Sequence, residues 1–66
     1  MDLFDFLDFI TEGQEIRLFE SCEDGRKIHY EGSDPKLCNI RALLDWQVAY
    51  ISVSDDGVLE IEIEEV

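Results

Sequence analysis

The chain is short of basic residues: 5 Lys and Arg stand against 17 Asp and Glu, for a net charge of −12. Such a charge disfavours direct contact with nucleic acid or with an anionic membrane surface, because both of these partners are negative. The shortage is also local, since no Lys or Arg follows Arg41 while seven acidic residues do. We therefore predict no direct binding to nucleic acid and none to membranes.

Long hydrophobic runs are also lacking, because Asp2, Asp5 and Asp8 interrupt the apolar start of the chain. A membrane span or a signal peptide needs a longer uninterrupted apolar run, so we expect neither. Cys22 and Cys38 are the two cysteines. Without a signal peptide we predict a cytoplasmic protein whose cysteines stay reduced and structural.

The length of 66 residues leaves room for one small domain spanning residues 1–66. A chain of this size buries only about 60% of its unfolded surface, so nearly all apolar residues are needed for one core. The hydrophobic content of 45% nevertheless argues against disorder. Because little remains to line a deep pocket, we predict that the protein is not an enzyme and holds no cofactor.

Metal-ligating residues are equally sparse. Cys22, His29 and Cys38 form a C-x6-H-x8-C pattern without the close-spaced pairs of structural zinc sites. Asp24 and Asp56 each precede a glycine but lack the alternating acidic run of a calcium loop. The sequence therefore predicts no metal site, and we interpret both aspartates as turn residues.

Two segments have the apolar spacing of short helices. The first is predicted in DLFDFLDFI, with Asp2 as N-cap, Gly13 as a stop, and a stripe of Leu3, Phe6, Leu7 and Ile10. The second is predicted to begin at Asp34-Pro35 and to end near Leu44 or Asp45. Its apolar arc consists of Leu37, Ile40, Leu43 and Leu44.

The first predicted hairpin surrounds Asp24-Gly25. A three-residue loop over 23–25 pairs Leu18 with Tyr30 and Phe19 with His29, and it places the alternating aliphatic residues on one face. In the same register Glu20 pairs with Ile28. A two-residue loop would put Leu18 and Ile28 on opposite faces, so we predict the longer loop.

The second predicted hairpin has the same kind of turn, over 55–57. It pairs Val53 with Leu59, Ile51 with Ile61 and Ala49 with Ile63. On the other face, Glu60, Glu62 and Glu64 oppose Ser52, Tyr50 and Val48. The two hairpins and two helices together predict an α+β fold of order α-β-β-α-β-β. Its sheet is expected to be four-stranded and antiparallel, with both helices on one face.

Parts of this pattern resemble a known group of proteins. Tyr30-x-Gly32, then Leu37 to Leu44, then the alternating Val48 to Ile63 with its central Asp56-Gly57 resembles small uncharacterised proteins carried by phages and conjugative elements of Gram-positive bacteria. The resemblance covers roughly residues 14–64 and leaves out the acidic first helix. It implies an accessory protein of a mobile genetic element and assigns no activity.

The outer face of the predicted sheet is the candidate contact surface. Its residues are Phe19, His29, Tyr50, Glu60, Glu62 and Glu64. Outward aromatic residues on a charged face are typical of protein contacts, although they also support cross-strand pairs without any further role. The glutamates are equally explained as the solvated side of an ordinary strand. Phe4, Phe9 and Trp46 lie off their helical stripes and are further candidates.

Two functions remain open from the sequence. The first is a small acidic protein-binding or regulatory accessory module, whose partner is an unidentified protein or a second copy of the chain. The alternative is a nucleic-acid mimic that blocks a DNA-binding or restriction-type host protein. Alternate residues of a β-strand recur every ~6.6–6.8 Å, which is about twice the ~3.4 Å rise between phosphates of one DNA strand. Glu60, Glu62 and Glu64 could therefore imitate the charges of a DNA backbone.

Overall fold

The computed structural model describes residues 1–33 and 41–65. They form one short α-helix, α1 (Leu3–Leu7), and a 3-10 turn at Arg41–Leu43. The four strands are β1 (Ile16–Cys22), β2 (Gly25–Gly32), β3 (Gln47–Val53) and β4 (Leu59–Glu64). All four strands belong to a single sheet with the order β2-β1-β4-β3.

The described residues are mostly β-strand with one short helix, so the predicted α+β fold of order α-β-β-α-β-β is wrong. The sheet is mixed, so the prediction of a fully antiparallel sheet is wrong as well. β1 pairs antiparallel with β2, and β3 pairs antiparallel with β4. Between the hairpins, however, β1 and β4 run parallel, with Ile16 beside Leu59 and Leu18 beside Ile61. The chain between β2 and β3 therefore connects one edge of the sheet to the other.

The parallel pair forms the centre of the sheet and contains its most deeply buried residues. Ile16, Leu18, Ile61 and Ile63 are at most 1% exposed. Leu3 and Leu43 complete the buried cluster from one side of the sheet. Two residues expected in the core are exposed: Ile51 on the edge strand β3 is 40% exposed, and Ile28 on β2 pairs with Phe19 on the opposite face of the sheet and is 44% exposed.

The first helix is shorter than predicted, but its apolar stripe is confirmed. Asp2 caps α1 by accepting a hydrogen bond from the Asp5 N–H at 2.9 Å. After Leu7 the bonds tighten to a three-residue spacing, as from Phe9 N–H to the Phe6 carbonyl. The whole stripe reaches the core: Leu3 is buried, and Phe6, Leu7 and Ile10 pack against the buried cluster.

The prediction of a second α-helix is also wrong for the part that the structure describes. Its N-cap, first turn and half of its apolar arc (Leu37 and Ile40) lie within residues 34–40, outside the described residues. Over Arg41–Leu43 the chain is a 3-10 turn. Leu43 is still buried, and Leu44 packs against the buried cluster. These two residues therefore supply core contacts as predicted, but Leu43 does so from a 3-10 turn and not from an α-helix.

The register of the first hairpin differs from the prediction beyond its first pairs. Leu18 pairs with Tyr30 as expected, but the register shifts by one residue after this pair. Phe19 therefore pairs with Ile28 instead of His29, and Glu20 pairs with Lys27. Cys22 pairs with Gly25, so the connection is shorter than the predicted three-residue loop. The irregularity lies inside the strand at His29, a β-bulge that turns this side chain away from Phe19.

The loop of the second hairpin is confirmed. Ser54 N–H donates to the Val58 carbonyl at 2.9 Å, which leaves Asp55, Asp56 and Gly57 as the loop. Gly57 has a φ of 84°, a conformation that other residues adopt at a cost. Val53 pairs with Leu59 and Ile51 with Ile61 as predicted.

The register of the second hairpin differs from the prediction only at the end that is farther from the loop. A shift between Val48 and Tyr50 leaves Ala49 as the extra residue. Val48 therefore pairs with Ile63 in place of Ala49, and it lies on the core face instead of opposing Glu64. The larger Val48 side chain gains core contacts that alanine could not supply.

Ile61 and Ile51 are a directly opposed pair with different burial, and they provide a matched test of the strand order. Ile61→Ala should lower the free energy of unfolding by about 2–5 kcal/mol, because it leaves a cavity in a fully buried site. Ile51→Ala should cost roughly 1 kcal/mol or less, since this edge residue keeps solvent contact. Urea denaturation monitored by Trp46 fluorescence measures both, and equal losses would contradict the assignment of β4 to the centre.

Candidate functional site

An ion-pair network crosses the outer face of the sheet, the face opposite the buried cluster. Arg17 of β1 lies between two carboxylates, with Nε 3.0 Å from Glu31 Oε1 of β2 and Nη1 bonded to Glu60 Oε2 of β4. Arg26 approaches the same Glu60 oxygen at 3.4 Å. The hydrogen bond that Arg17 donates to Glu60 is the main reason that the pKa of Arg17 is raised. Glu60 is therefore neutralised by two guanidinium groups.

Phe19 lies on this outer face but is only 4% exposed. The Arg26 guanidinium carbon is 4.3 Å from the centre of its ring, a cation–π contact that covers the aromatic surface. Ile28 and Glu62 flank it as strand partners. Phe19 therefore supports the sheet and is poorly accessible to a partner protein.

His29 is directed to the other face, so its expected pairing with Phe19 on the outer face is wrong. Its Nε2 atom lies 3.1 Å from Glu20 Oε1, and its ring meets Trp46 edge-on at 5.4 Å. Glu20 shares a strand face with Leu18, and Trp46 packs against the core cluster. The β-bulge thus gives His29 a structural position beside the core.

The remaining outer-face candidates lie toward β3. Tyr50 stands opposite Glu62, as predicted, and is 64% exposed. Glu62 accepts a hydrogen bond from Ser21 Oγ at 2.9 Å. Glu64 is exposed at the end of β4, where it has no ion pair with any described residue. The glutamate row is therefore uneven, since its first member is neutralised, its second is hydrogen-bonded and its third is solvated.

Strand β3 carries three exposed large side chains. Tyr50 and Val53 are 64% and 69% exposed, more than any other large apolar or aromatic residue of the sheet. Ile51 is 40% exposed, close to the 44% of Ile28 on β2. The strand sequence QVAYISV has no charged residue, whereas β1, β2 and β4 each contain charged residues. Edge strands of soluble proteins normally carry charges that discourage pairing with other chains. Sequence reasoning missed Ile51 and Val53 because their alternation assigned them to the core; the absence of charge in this strand was the available signal.

One end of the β3 edge is covered by the chain's own N-terminus. Leu3 N–H donates to the Trp46 carbonyl at 2.8 Å and Val48 N–H donates to the Met1 carbonyl at 3.0 Å. These bonds form an antiparallel bridge between Asp2 and Gln47. From Ala49 to Val53, by contrast, no described residue pairs with the outer side of the strand.

The turn beyond Val53 closes the other end of this edge. Ser54 Oγ donates to Asp56 Oδ1 at 2.6 Å and accepts from the Val58 N–H at 3.1 Å. The Ser54 hydroxyl is the main reason that the pKa of Asp56 is lowered. Asp56 is therefore held as a carboxylate next to the open part of β3.

The described residues contain no group of three His, Cys, Asp or Glu side chains placed to hold a metal ion. Cys22 is an exposed free thiol beside the first turn. Cys38, the third member of the set considered above, lies outside the described residues. Within residues 1–33 and 41–65, His29 has its polar contact with Glu20 and its ring contact with Trp46.

Comparison of the chain with protein families, with curated proteins and with solved structures found no match. The resemblance to proteins of mobile elements therefore stays a prediction. None of the helices in the described part of the chain has the length and apolar character that crossing a membrane requires.

Glu60 and Glu64 provide a matched test of the outer-face network. Glu60→Gln should lower the urea midpoint at pH 7, because Arg17 and Arg26 lose their shared carboxylate. Glu64→Gln should leave the midpoint unchanged or raise it slightly, since Glu64 has no ion pair with the residues that the structure describes and the chain has a net charge of −12. If the Glu64 variant were the less stable one, the network described here would be wrong.

Asp56 should titrate below its ordinary range. In Ser54→Ala its pKa should rise, because the hydroxyl that stabilises the carboxylate is removed. Because the pKa of Asp56 is lower in the folded state than the unfolded pKa of about 3.9, its ionisation stabilises the folded protein at pH values above this unfolded pKa. This stabilisation is lost as the pH falls through the folded-state pKa. NMR titration of the Asp56 carboxyl carbon in both proteins is the measurement. An identical pKa in wild type and variant would contradict the assignment.

Proposed function

We propose that this protein is a small acidic protein-binding module, a regulatory accessory without catalytic activity that works in the cytoplasm. The observation that carries the proposal is β3, an uncharged strand at the edge of the sheet with three exposed apolar side chains, Tyr50, Ile51 and Val53. Exposed apolar residues that cluster on one element are typical of protein-contact sites.

The contrast between the two edges of the sheet supports this proposal. β2, at the opposite edge, carries Arg26, Lys27 and Glu31 and is interrupted by the bulge at His29. Charges and bulges are the usual protection of an edge strand against pairing. β3 has an irregularity at Ala49, but it continues from Tyr50 to Val53 without any charge. Among the described residues, therefore, β2 has the usual protection of an edge strand, whereas positions 50–53 of β3 have neither a charge nor a pairing strand on their outer side.

The charge distribution supports a basic partner. Residues 42–66 contain seven acidic residues and no Lys or Arg, and both β3 and β4 lie in this part. Complementary charge accelerates association and orients the partners. The resemblance to accessory proteins of phages and conjugative elements is compatible with this role, in which the partner would be a protein of the host or of the element itself.

The alternative, a nucleic-acid mimic, is less well supported by the geometry. A mimic needs a row of free negative charges, yet Glu60 is paired with Arg17 and Arg26. Glu62 accepts a hydrogen bond from the Ser21 hydroxyl, so of the three only Glu64 is exposed without an ion pair or side-chain hydrogen bond to a described residue. The alternative therefore predicts a partner that DNA displaces and that Glu64→Gln weakens.

The test compares affinity capture from the native host by the wild-type protein and by Val53→Lys. Val53 is 69% exposed, so a lysine there should leave the fold intact while it places a charge on the open edge. We expect a partner that the wild-type protein retains and that Val53→Lys loses. Quantitative mass spectrometry of the captured proteins is the readout.

Ile28→Lys is the matched control, since it introduces the same charge at an exposed apolar position of the opposite edge. It should retain the partner. Loss of the partner in both variants would point to a general charge effect. Identical captured proteins for wild type and Val53→Lys would remove β3 from the interaction and contradict the proposal.

A further inference from the structure

The open edge of β3 presents specific backbone groups to its surroundings. Ser54 N–H bonds toward β4, and residues of an antiparallel strand alternate in the direction of their hydrogen bonds. Ser52 and Tyr50 therefore share the inward direction of Ser54, whereas Val53 and Ile51 direct N–H and C=O away from β4. No described residue meets these outward groups, which form a short unfilled ladder.

The same edge already accepts a strand from this chain. The bridge between Asp2 and Gln47 adds residues 1–3 to β3 in an antiparallel direction, through two backbone bonds of 2.8 and 3.0 Å. The open ladder begins directly beyond this bridge, at Ala49, and ends at Val53. An added strand would therefore continue a pairing mode that the fold itself uses.

Charge decides between the candidate occupants of this edge. Asp2 lies beyond one end of the open ladder, and Asp55 and Asp56 lie beyond the other. On β4, Glu62 stands opposite Tyr50 of the ladder, and Glu64 stands opposite Gln47 at the covered end. The Met1 ammonium is near the covered end, where it donates to Gln47 Oε1 at 3.4 Å. An occupant with Lys or Arg residues is favoured by these carboxylates.

A second copy of the chain fits this edge poorly. Two protomers would each bring a net charge of −12, and the carboxylates that bracket β3 would approach their own counterparts. Stable dimers usually bury more than about 1,000 Å² in total, whereas the open ladder comprises only residues 49–53. A short peptide segment can instead bind along a single edge strand.

We propose that residues 49–53 of β3 bind an extended segment of a partner protein by strand addition, and that this segment alternates apolar residues with Lys or Arg. Its apolar side chains would lie beside Ile51 and Val53, on the face that continues into the core. Its basic side chains would lie beside Tyr50, on the face that carries Glu62. The inference rests on the proposed function and specifies the binding mode and the chemistry of the partner.

The probe is an acetylated and amidated heptapeptide in which Lys and Val alternate, and its control replaces every Lys with Glu. Amide hydrogen exchange measured by NMR should show Ile51 and Val53 exchanging faster than Tyr50 and Ser52 in the free protein. The Lys-Val peptide should slow the exchange of Ile51 and Val53, while the Glu-Val peptide should have no effect. Equal protection by the two peptides would overturn the charge assignment.

Two substitutions at one position separate the backbone from the side chain. Val53→Pro removes an outward N–H that β4 does not use, a change that edge strands tolerate. It should weaken binding of the Lys-Val peptide about tenfold or more, whereas Val53→Ala, which keeps the N–H, should weaken it less. Equal loss in the two variants would mean that the backbone ladder is not used. The exchange experiment on the wild-type protein tests the same point without any variant.

Other outcomes also decide the question. Protection of Ile51 and Val53 that rises with protein concentration, in the absence of peptide, would assign the edge to a second copy and overturn the proposal. If a captured partner depends on Val53 but the Lys-Val peptide leaves the exchange of Ile51 and Val53 unchanged, strand addition by a basic segment is wrong while protein binding at β3 stands. The two proposals can therefore fail separately.

Discussion

The parallel pairing of β1 with β4 is the constraint on which the rest of the structure depends. It places Ile16 and Leu18 beside Leu59 and Ile61, and the inner residues Ile16, Leu18, Ile61 and Ile63 are covered almost completely. A chain of 66 residues has room for only one such core. As a result of the β1–β4 pairing, the other strand of each hairpin lies at an edge of the sheet, β2 at one edge and β3 at the other.

Local features of the fold could be predicted from the sequence because short-range chemistry determines them. The Asp2 cap, the apolar stripe of α1, the loop over 55–57 and the pairing of Ile51 with Ile61 all follow from spacing and turn residues. The mixed sheet could not be predicted, because the pairing of one hairpin with the other depends on tertiary burial that no local pattern records. The two bulges could not be predicted for the same reason. At His29 and Ala49 the regular strand pairing is interrupted, and neighbouring side chains contact residues that are distant along the chain.

The candidate site shows the same division between local and tertiary information. The position of Tyr50 opposite Glu62 follows from alternation and is confirmed. The burial of Phe19 under Arg26 and the contact of His29 with Trp46 depend on neighbours that are distant along the chain or shifted by a bulge. Because β3 is an edge strand, Ile51 and Val53 are exposed, although their alternation predicts core positions. A surface proposed for binding thus arises from the strand order and not from an additional motif.

The most direct test of this account is the pattern of cross-strand nuclear Overhauser effects in the free protein. The account predicts contacts between β1 and β4 in which residue numbers rise together, from Ile16 beside Leu59 to Phe19 beside Glu62. It also predicts no backbone contacts between β2 and β3. Contacts between β2 and β3, or a β1–β4 series in which one number falls as the other rises, would contradict the central parallel pair and with it the open β3 edge.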